Sequence, residues 1–223
     1  MPHPWLKRNV ATMANLWTDP EHALDYLGRA DTIPHRAEGE SVLLDHLSDQ
    51  LDRVLDLGCG DGRLLALVLS ARPGASGMAL DFSPAMLEKA QMRFSDHPSV
   101  EVRAHDLDQP LSLTGPFDAV VSSFAIHHVS DRRKQNLYSE VFDLLGPGGI
   151  FLNLEHVASP TERLHHRFVS CLGQTPEQED PSNQLAGLEP QLGWLRAIGF
   201  EDVDCHWKWL ELALMAGVRP GAP

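Results

Sequence analysis

The sequence predicts an α/β fold built on a mostly parallel β-sheet. Two features support this prediction. From Arg53 onward, apolar runs of strand length alternate with segments of helical spacing, which is typical of βαβ crossover units. The first strand is followed by Gly58, Gly60 and Gly62, and helical spacing resumes at Arg63, so a strand, a tight turn and a helix follow one another. At 223 residues the chain is long enough for one such domain.

The elements are predicted from the same spacing. Two helices, at residues 9–27 and 38–51, precede the sheet and should cap it rather than form a second domain. Seven strands are predicted, at residues 53–57, 76–81, 100–104, 119–122, 150–154, 202–207 and 210–216. The helices that follow the first strand are predicted at residues 63–70, 84–94, 133–145 and 192–198. The last two strands should form an antiparallel hairpin, because only a short connection near Lys208 separates them.

Composition excludes several classes of function. The formal net charge of −13 would repel a polyanion, and the basic run at residues 132–134 is interpreted as a solvated helix start rather than a phosphate-binding patch. The longest apolar runs have the length of strands, and the first ten residues lack the apolar region of a secretory signal. Three cysteines without a C-x-x-C pair indicate neither disulfides nor a zinc site. We therefore expect a cytoplasmic protein that binds no metal, membrane or nucleic acid.

The glycine turn indicates the kind of ligand. Its glycines are spaced two apart, unlike the G-x-G-x-x-G pattern of dinucleotide sites. Asp56 precedes the turn and no lysine or arginine lies within residues 54–62, so the loop suits a cation better than a phosphate. Asp81 ends the second strand, close to the distance of roughly 20 residues at which an acidic residue binds ribose hydroxyls, although it could also cap the next helix. A nucleoside without phosphates fits this pattern.

Five segments in order resemble the motif series of the class I S-adenosylmethionine-dependent methyltransferases. They read VLDLGCGDG, ALDFSPAML, AHDLDQPL, FDAVVSSFAIHHVSD and LLGPGGIFLNLEHV, and they lie within residues 53–157. The resemblance implies a Rossmann-like sheet of seven strands with helices on both faces and an antiparallel last strand. It also implies S-adenosylmethionine as cofactor and S-adenosylhomocysteine as product.

The resemblance assigns roles to residues of this chain. The methionine portion of the cofactor would contact the glycine turn and nearby groups: Arg36, Asp56, Gly58, Cys59, Gly60, Ser122 and Ser123. Asp81 would bind both ribose hydroxyls, and the adenine would meet Phe82, Asp106 and Leu107. The candidate catalytic residues are His127, which could instead be structural, and Glu155, which could instead be a solvated strand end.

The resemblance also suggests how the chain is divided. The parts are a helical cap (1–51), a cofactor-binding core (52–157), an insert (158–191) and a C-terminal helix with the hairpin (192–223). Residues 172–184 of the insert would form either a lid over the substrate or a plain surface loop.

Methyl transfer to an oxygen, nitrogen or carbon atom of a small molecule is the function that follows from the resemblance. Two alternatives stay open. The chain faintly resembles the carboxy-S-adenosylmethionine synthases, which modify the cofactor itself, and it could be a binding module without catalysis. We expect a monomer or a homodimer.

Overall fold

A seven-stranded sheet forms the centre of the protein in a computed structural model, which describes residues 17, 19–30 and 32–221. The strands are β1 (Arg53–Leu57), β2 (Ser76–Asp81), β3 (Val100–Ala104), β4 (Phe117–Ser123), β5 (Leu145–His156), β6 (Glu201–Trp209) and β7 (Leu212–Val218). They lie in the order β3-β2-β1-β4-β5-β7-β6. β7 pairs antiparallel with both of its neighbours, and the other pairs are parallel. The predicted α/β fold with an antiparallel last strand is confirmed.

Helices cover both faces of this sheet. They are α1 (Pro20–Ala30), α2 (Arg36–Asp45), α3 (Arg63–Ala71), α4 (Pro84–Arg93), α5 (Asp131–Leu144), α6 (Glu162–Cys171) and α7 (Leu188–Ile198). One apolar cluster joins the sheet to α2, α3 and α4, and a second joins the opposite face to α5 and α7. β1 lies between them: Val54 belongs to the first cluster and Leu55 and Leu57 to the second, and all three are fully buried. A strand covered on both faces is mostly apolar, as β1 is apart from Arg53 and Asp56, which explains why its bounds could be predicted.

The N-terminal helices lie against the edge of the sheet where the glycine turn is. α1 contacts α4, and α2 contacts α3 and the strands β5, β6 and β7. The helix predicted at residues 9–27 is only partly comparable, because residues 1–16 and 18 lie outside the described residues. The helix predicted at residues 38–51 is shorter and begins at Arg36. The division into cap, core, insert and C-terminal part stays a prediction.

Three local expectations were wrong. Helix α6 was not predicted within the insert, although Thr161 caps it by accepting a hydrogen bond from the Leu164 backbone N–H at 3.3 Å. The fifth strand, predicted at residues 150–154, begins earlier, because Leu145 already pairs with Phe117 and a bulge separates this pair from the next one, Ala119 with Ile150. Two of the three residues in the basic run at the start of α5 are not solvated: Arg133 is 9% exposed and Lys134 is fully buried, whereas Arg132 is exposed.

No helix in the described part of the chain has both the length and the apolar character that crossing a bilayer requires.

Candidate active site

The glycine turn forms one wall of a first cavity at the carboxyl ends of β1, β2 and β4, with a volume of about 210 Å³. Gly58 and Gly60 have φ angles of 66° and 55°, which glycine adopts without strain. A Cβ atom on Gly58 would clash with the Cβ of Ala125, so the turn can pack against the segment after β4 only with glycine there. A Cβ atom on Gly60 would meet only the Sδ of Met86, at 3.9 Å, so the peptide of Gly60 faces open space.

Asp56 presents an unpaired carboxylate oxygen at this cavity. The residue is fully buried, and its Oδ2 accepts a hydrogen bond from the Leu65 backbone N–H at 3.2 Å. Its Oδ1 is buried and has no hydrogen-bond partner among the described residues. Burial raises the pKa of Asp56 to about 7, and the nearby charges of Asp81 and Asp61 add to the shift. A positively charged ligand group would satisfy the unpaired oxygen and favour the ionised carboxylate.

Asp81 ends β2 with its carboxylate on the same cavity. Its Oδ2 accepts a hydrogen bond from the Gly60 N–H at 2.9 Å, and its Oδ1 accepts one from the Ser83 N–H at 2.8 Å. The second bond orders the start of α4, so the alternative capping role and a ligand role coexist. Each oxygen keeps a further lone pair, which is what two neighbouring ribose hydroxyls require.

The far end of the cavity has a polar edge formed by the loop after β3. Phe82, Asp106 and Leu107 line it. Arg133 stabilises this loop by two hydrogen bonds: its Nε donates to the Leu107 carbonyl at 2.6 Å, and its Nη2 donates to the Gln109 carbonyl at 2.9 Å. The sequence interpretation missed this role of Arg133 because the two carbonyl groups lie more than twenty residues away and no local pattern indicates them.

The opposite end carries two guanidinium groups around one carboxylate. Glu40 is 3% exposed and its Oε1 accepts hydrogen bonds from Arg36 Nε at 2.8 Å and Arg63 Nε at 3.0 Å. Both arginines line the cavity, and Arg63 was not predicted. Guanidinium groups bind carboxylates through charge-assisted and often bidentate hydrogen bonds, so this end suits a carboxylate.

Ten of the eleven residues predicted to hold the cofactor lie on this cavity: Arg36, Asp56, Gly58, Cys59, Gly60, Asp81, Phe82, Asp106, Leu107 and Ser123. Ser122 does not line it; the residue is fully buried and its hydroxyl donates to the Leu57 carbonyl at 2.8 Å. The individual roles of these residues stay predictions.

A second cavity of about 460 Å³ adjoins the first, and Trp17, Phe124 and His128 line both. His127 lies on the second cavity. Glu155 does not, because it is fully buried behind His127, with its Oε1 2.5 Å from His127 Nδ1. The alternative that Glu155 is a solvated strand end is therefore wrong.

Burial shifts both members of this pair. It raises the pKa of Glu155 to about 7, against the hydrogen bond that the His156 N–H donates to it, and it lowers the pKa of His127 well below its ordinary value. Above a pH of about 7, Glu155 is ionised and accepts a hydrogen from His127 Nδ1, which leaves Nε2 of His127 with a free lone pair. No group of three or more metal-ligating side chains occurs among the described residues.

The residues present fit a nucleoside that carries a positively charged amino acid. The unpaired oxygen of Asp56 suits an ammonium group, Arg36 and Arg63 suit a carboxylate, and the two oxygens of Asp81 suit a ribose. S-adenosylmethionine has all of these groups.

Comparison with known proteins agrees with the geometry. A family model described as a methyltransferase domain matches residues 54–149. The demethylmenaquinone methyltransferase of Clavibacter sepedonicus is 32% identical over 187 residues, which cover 76% of this chain and 74% of that protein. An uncharacterized methyltransferase of Mycobacterium tuberculosis is 40% identical over 96 residues, 43% of this chain, and the chain spans less than half of that relative, 46% of its length.

The fold has solved counterparts as well. An O-methyltransferase family protein from Burkholderia thailandensis superposes with a TM-score of 0.72 at 20% identity, covering 93% of this chain and 62% of that one. The order of the motifs, the sheet topology and the extended similarity to the Clavibacter protein together show that the chain belongs to the class I S-adenosylmethionine-dependent methyltransferases.

Proposed function

We propose that the protein transfers the methyl group of S-adenosylmethionine to a hydroxyl group of a small molecule in the second cavity, with His127 as the base. The observation that supports this is the junction of the two cavities at Trp17, Phe124 and His128, beside the His127–Glu155 pair. A cofactor held in the first cavity would meet an acceptor held in the second at that junction. In-line placement of the two reactants is the main requirement of methyl transfer.

The cofactor side of the reaction follows from the first cavity. Asp81 would hold the ribose, the loop at Asp106 and Leu107 the adenine, and Asp56 the ammonium group. Arg36, together with Arg63, would hold the carboxylate. The bound cofactor supplies a methyl group on a positively charged sulfur, which needs no further activation by the protein.

The acceptor side follows from His127 and Glu155. As the bond between the acceptor oxygen and the methyl carbon forms and the bond between sulfur and methyl breaks, the hydroxyl proton passes to His127 Nε2. Glu155 would stabilise the resulting imidazolium through Nδ1, at the 2.5 Å distance that the structure has. Glu155 is therefore a positioning residue, whereas His127 would touch the acceptor.

Four further properties belong to this proposal. The protein would act in the cytoplasm, as a monomer or a homodimer, on an acceptor that is not a nucleic acid, because a net charge of −13 disfavours polyanions. Residues 172–184 would form the lid of the second cavity, because Gln174, Gln178 and Asp180 line it.

The experiment combines binding with turnover. Calorimetry with S-adenosylhomocysteine tests the cofactor site, and transfer of a labelled methyl group across a panel of phenols, alcohols and amines tests the reaction. We expect His127→Gln to bind S-adenosylhomocysteine normally and to lose about 10² to 10⁴ in turnover, the usual contribution of a general base. His166→Gln is the control, because His166 lies on the exposed side of α6.

Four outcomes would contradict the proposal. Absence of S-adenosylhomocysteine binding removes the cofactor site, and full turnover in His127→Gln removes the base. Binding without transfer to any acceptor favours a binding module, and a carboxylated cofactor found in the purified protein by mass spectrometry favours the cofactor-modifying alternative.

A further inference from the structure

A second imidazole–carboxylate pair lies on the second cavity and has no part in the reaction described above. His156, the last residue of β5, lines the cavity, and its Nε2 is 2.9 Å from Oε2 of Glu211. Glu211 is fully buried. The ring of His156 lies 5.6 Å from the ring of His127, centroid to centroid. Two histidines, each paired with a buried glutamate, therefore line the same cavity.

The second pair is held as firmly as the first. Glu211 Oε1 is 3.1 Å from His165 Nδ1, and the other ring nitrogen of His165 is 3.1 Å from Glu179 Oε2. The His156 backbone N–H donates to Glu155 Oε1 at 2.8 Å, which ties the two pairs together. Neither ring can turn without breaking a bond to a buried carboxylate.

The chemistry of Glu211 determines which nitrogen of His156 faces a ligand. Burial alone would raise the pKa of Glu211, but the hydrogen bond and charge of His156 outweigh it, so the pKa lies below its ordinary value. An ionised Glu211 accepts a hydrogen from Nε2 of His156. Nδ1 is then the ring nitrogen left for a ligand, just as Nε2 is on His127.

The spacing of the two rings limits the shape of that ligand. At 5.6 Å between centroids, the two rings are close enough to contact one small molecule. Two neighbouring oxygen atoms of one molecule can bridge them, since each N···O hydrogen bond spans about 2.8 Å. Part of the surrounding wall is flat or apolar and is formed by Trp17, Phe124, Phe168 and Leu212. Such walls suit a planar ring that carries those oxygens.

We propose that His156 is a second contact to the acceptor, and that the acceptor is a planar molecule with two adjacent oxygen functions. One oxygen lies at His127 and receives the methyl group, and the other is hydrogen-bonded to Nδ1 of His156. This inference rests on the proposed function, because it specifies the acceptor of that same site.

The test compares catechol with resorcinol and phenol, all of which have the same ring. Their binding is measured by calorimetry on the protein saturated with S-adenosylhomocysteine. Catechol has adjacent hydroxyls, resorcinol has separated ones and phenol has one. We expect catechol to bind about tenfold more tightly than the other two, the effect of one additional hydrogen bond.

Two variants of His156 separate a ligand contact from a structural role. In His156→Gln the side-chain amide can still donate to Glu211 but nothing replaces Nδ1, whereas in His156→Asn the amide replaces Nδ1 and loses Glu211. We expect the preference for catechol to vanish in His156→Gln, to survive in part in His156→Asn and to be unchanged in His166→Gln. Unchanged affinity for S-adenosylhomocysteine shows that each variant is folded.

The outcomes distinguish this inference from the proposed function. Equal binding of the three compounds, binding of none of them, or a preference for catechol that persists in His156→Gln overturns the role of His156. Methyl transfer that depends on His127 would still support the proposed function in each of these cases. Failure to bind S-adenosylhomocysteine overturns the proposed function itself.

Discussion

The unpaired oxygen of Asp56 predicts that cofactor affinity depends on pH. In the protein without a ligand, burial holds the pKa of Asp56 at about 7. A ligand ammonium group interacts favourably with the ionised carboxylate and unfavourably with the neutral acid. The affinity for S-adenosylhomocysteine should therefore fall as the pH falls through about 7.

The size of the effect follows from the fraction of Asp56 that is ionised. With a pKa of about 7, about one tenth of the carboxyl groups are ionised at a pH one unit below and about nine tenths at a pH one unit above. If the ionised form alone binds, affinity changes about tenfold between these limits, which equals about 1.4 kcal/mol. Binding on the acidic side should also release a proton, because the ligand lowers the pKa of the group.

Calorimetry measures both quantities. The dissociation constant is determined across the pH range, and proton release is obtained by repeating the titration in buffers of different ionisation enthalpy. The control is Asp56→Asn, which cannot ionise but keeps an oxygen for the Leu65 N–H. We expect Asp56→Asn to bind more weakly by about 1.5 to 3 kcal/mol at high pH, the value of a hydrogen bond to a charged group.

The comparison of the two proteins isolates Asp56. Any titration of the ligand itself is common to both, so the difference between the two pH profiles belongs to the carboxylate. A wild-type affinity that does not change with pH, or an Asp56→Asn profile identical to that of the wild type, would refute the assignment of Asp56 to the ammonium group.

Three further predictions concern the loop after β3, the glycine turn and the buried carboxyl group of Glu155. Arg133→Gln should weaken S-adenosylhomocysteine binding about tenfold, because the adenine loop loses its buried hydrogen bonds, while the exposed Arg132→Gln should not; calorimetry measures both. Gly58→Ala should lower the free energy of unfolding, measured in urea, by about 1 to 3 kcal/mol, because Gly58 has a φ of 66° and an added Cβ would clash with Ala125. Gly74→Ala is the control and should not lower it, because an added Cβ at Gly74 meets no atom within 4 Å among the described residues. Burial raises the pKa of Glu155 from 4.5 to about 7 in the folded protein, so its contribution to stability is present at acidic pH and is lost as the pH rises between these values. The free energy of unfolding of the wild type should therefore fall by up to about 3 kcal/mol over this pH range, and this decrease should be absent in Glu155→Gln. Urea unfolding at several pH values measures it.

The parts of the fold that were predicted correctly depend on local signals. The bounds of β1, β2 and β3 were predicted to the residue because each strand is an apolar or alternating run that ends at a glycine or a polar residue. The cofactor-facing residues follow directly from these strand ends. In a parallel sheet the carboxyl ends meet at one edge, so residues that are distant in sequence converge there without any pairwise signal.

The parts that were missed depend on contacts between distant residues. Arg133 was interpreted as solvated because a basic run after a capping Ser130 usually is, and nothing in the local pattern indicates that Leu107 and Gln109 would offer it carbonyl groups. Helix α6 was missed because its sequence is mostly polar, with His165, Phe168 and Val169 as its buried positions. Their partner is the turn before β7, more than forty residues later.

The two imidazole–carboxylate pairs show how topology creates a site that the sequence pattern does not display. β5 lies between a parallel neighbour, β4, and an antiparallel neighbour, β7. On the parallel side, Ser123 pairs with Leu154, so Glu155 lies just beyond the end of β4 and reaches His127 in the next turn. On the antiparallel side, His156 pairs with Leu212, which brings the preceding residue, Glu211, to its ring. Two consecutive residues of β5 thus obtain their partners from its two different neighbours, Glu155 from the segment after β4 and His156 from the turn before β7. Both pairs lie beside one cavity because the sheet changes from parallel to antiparallel pairing at β5.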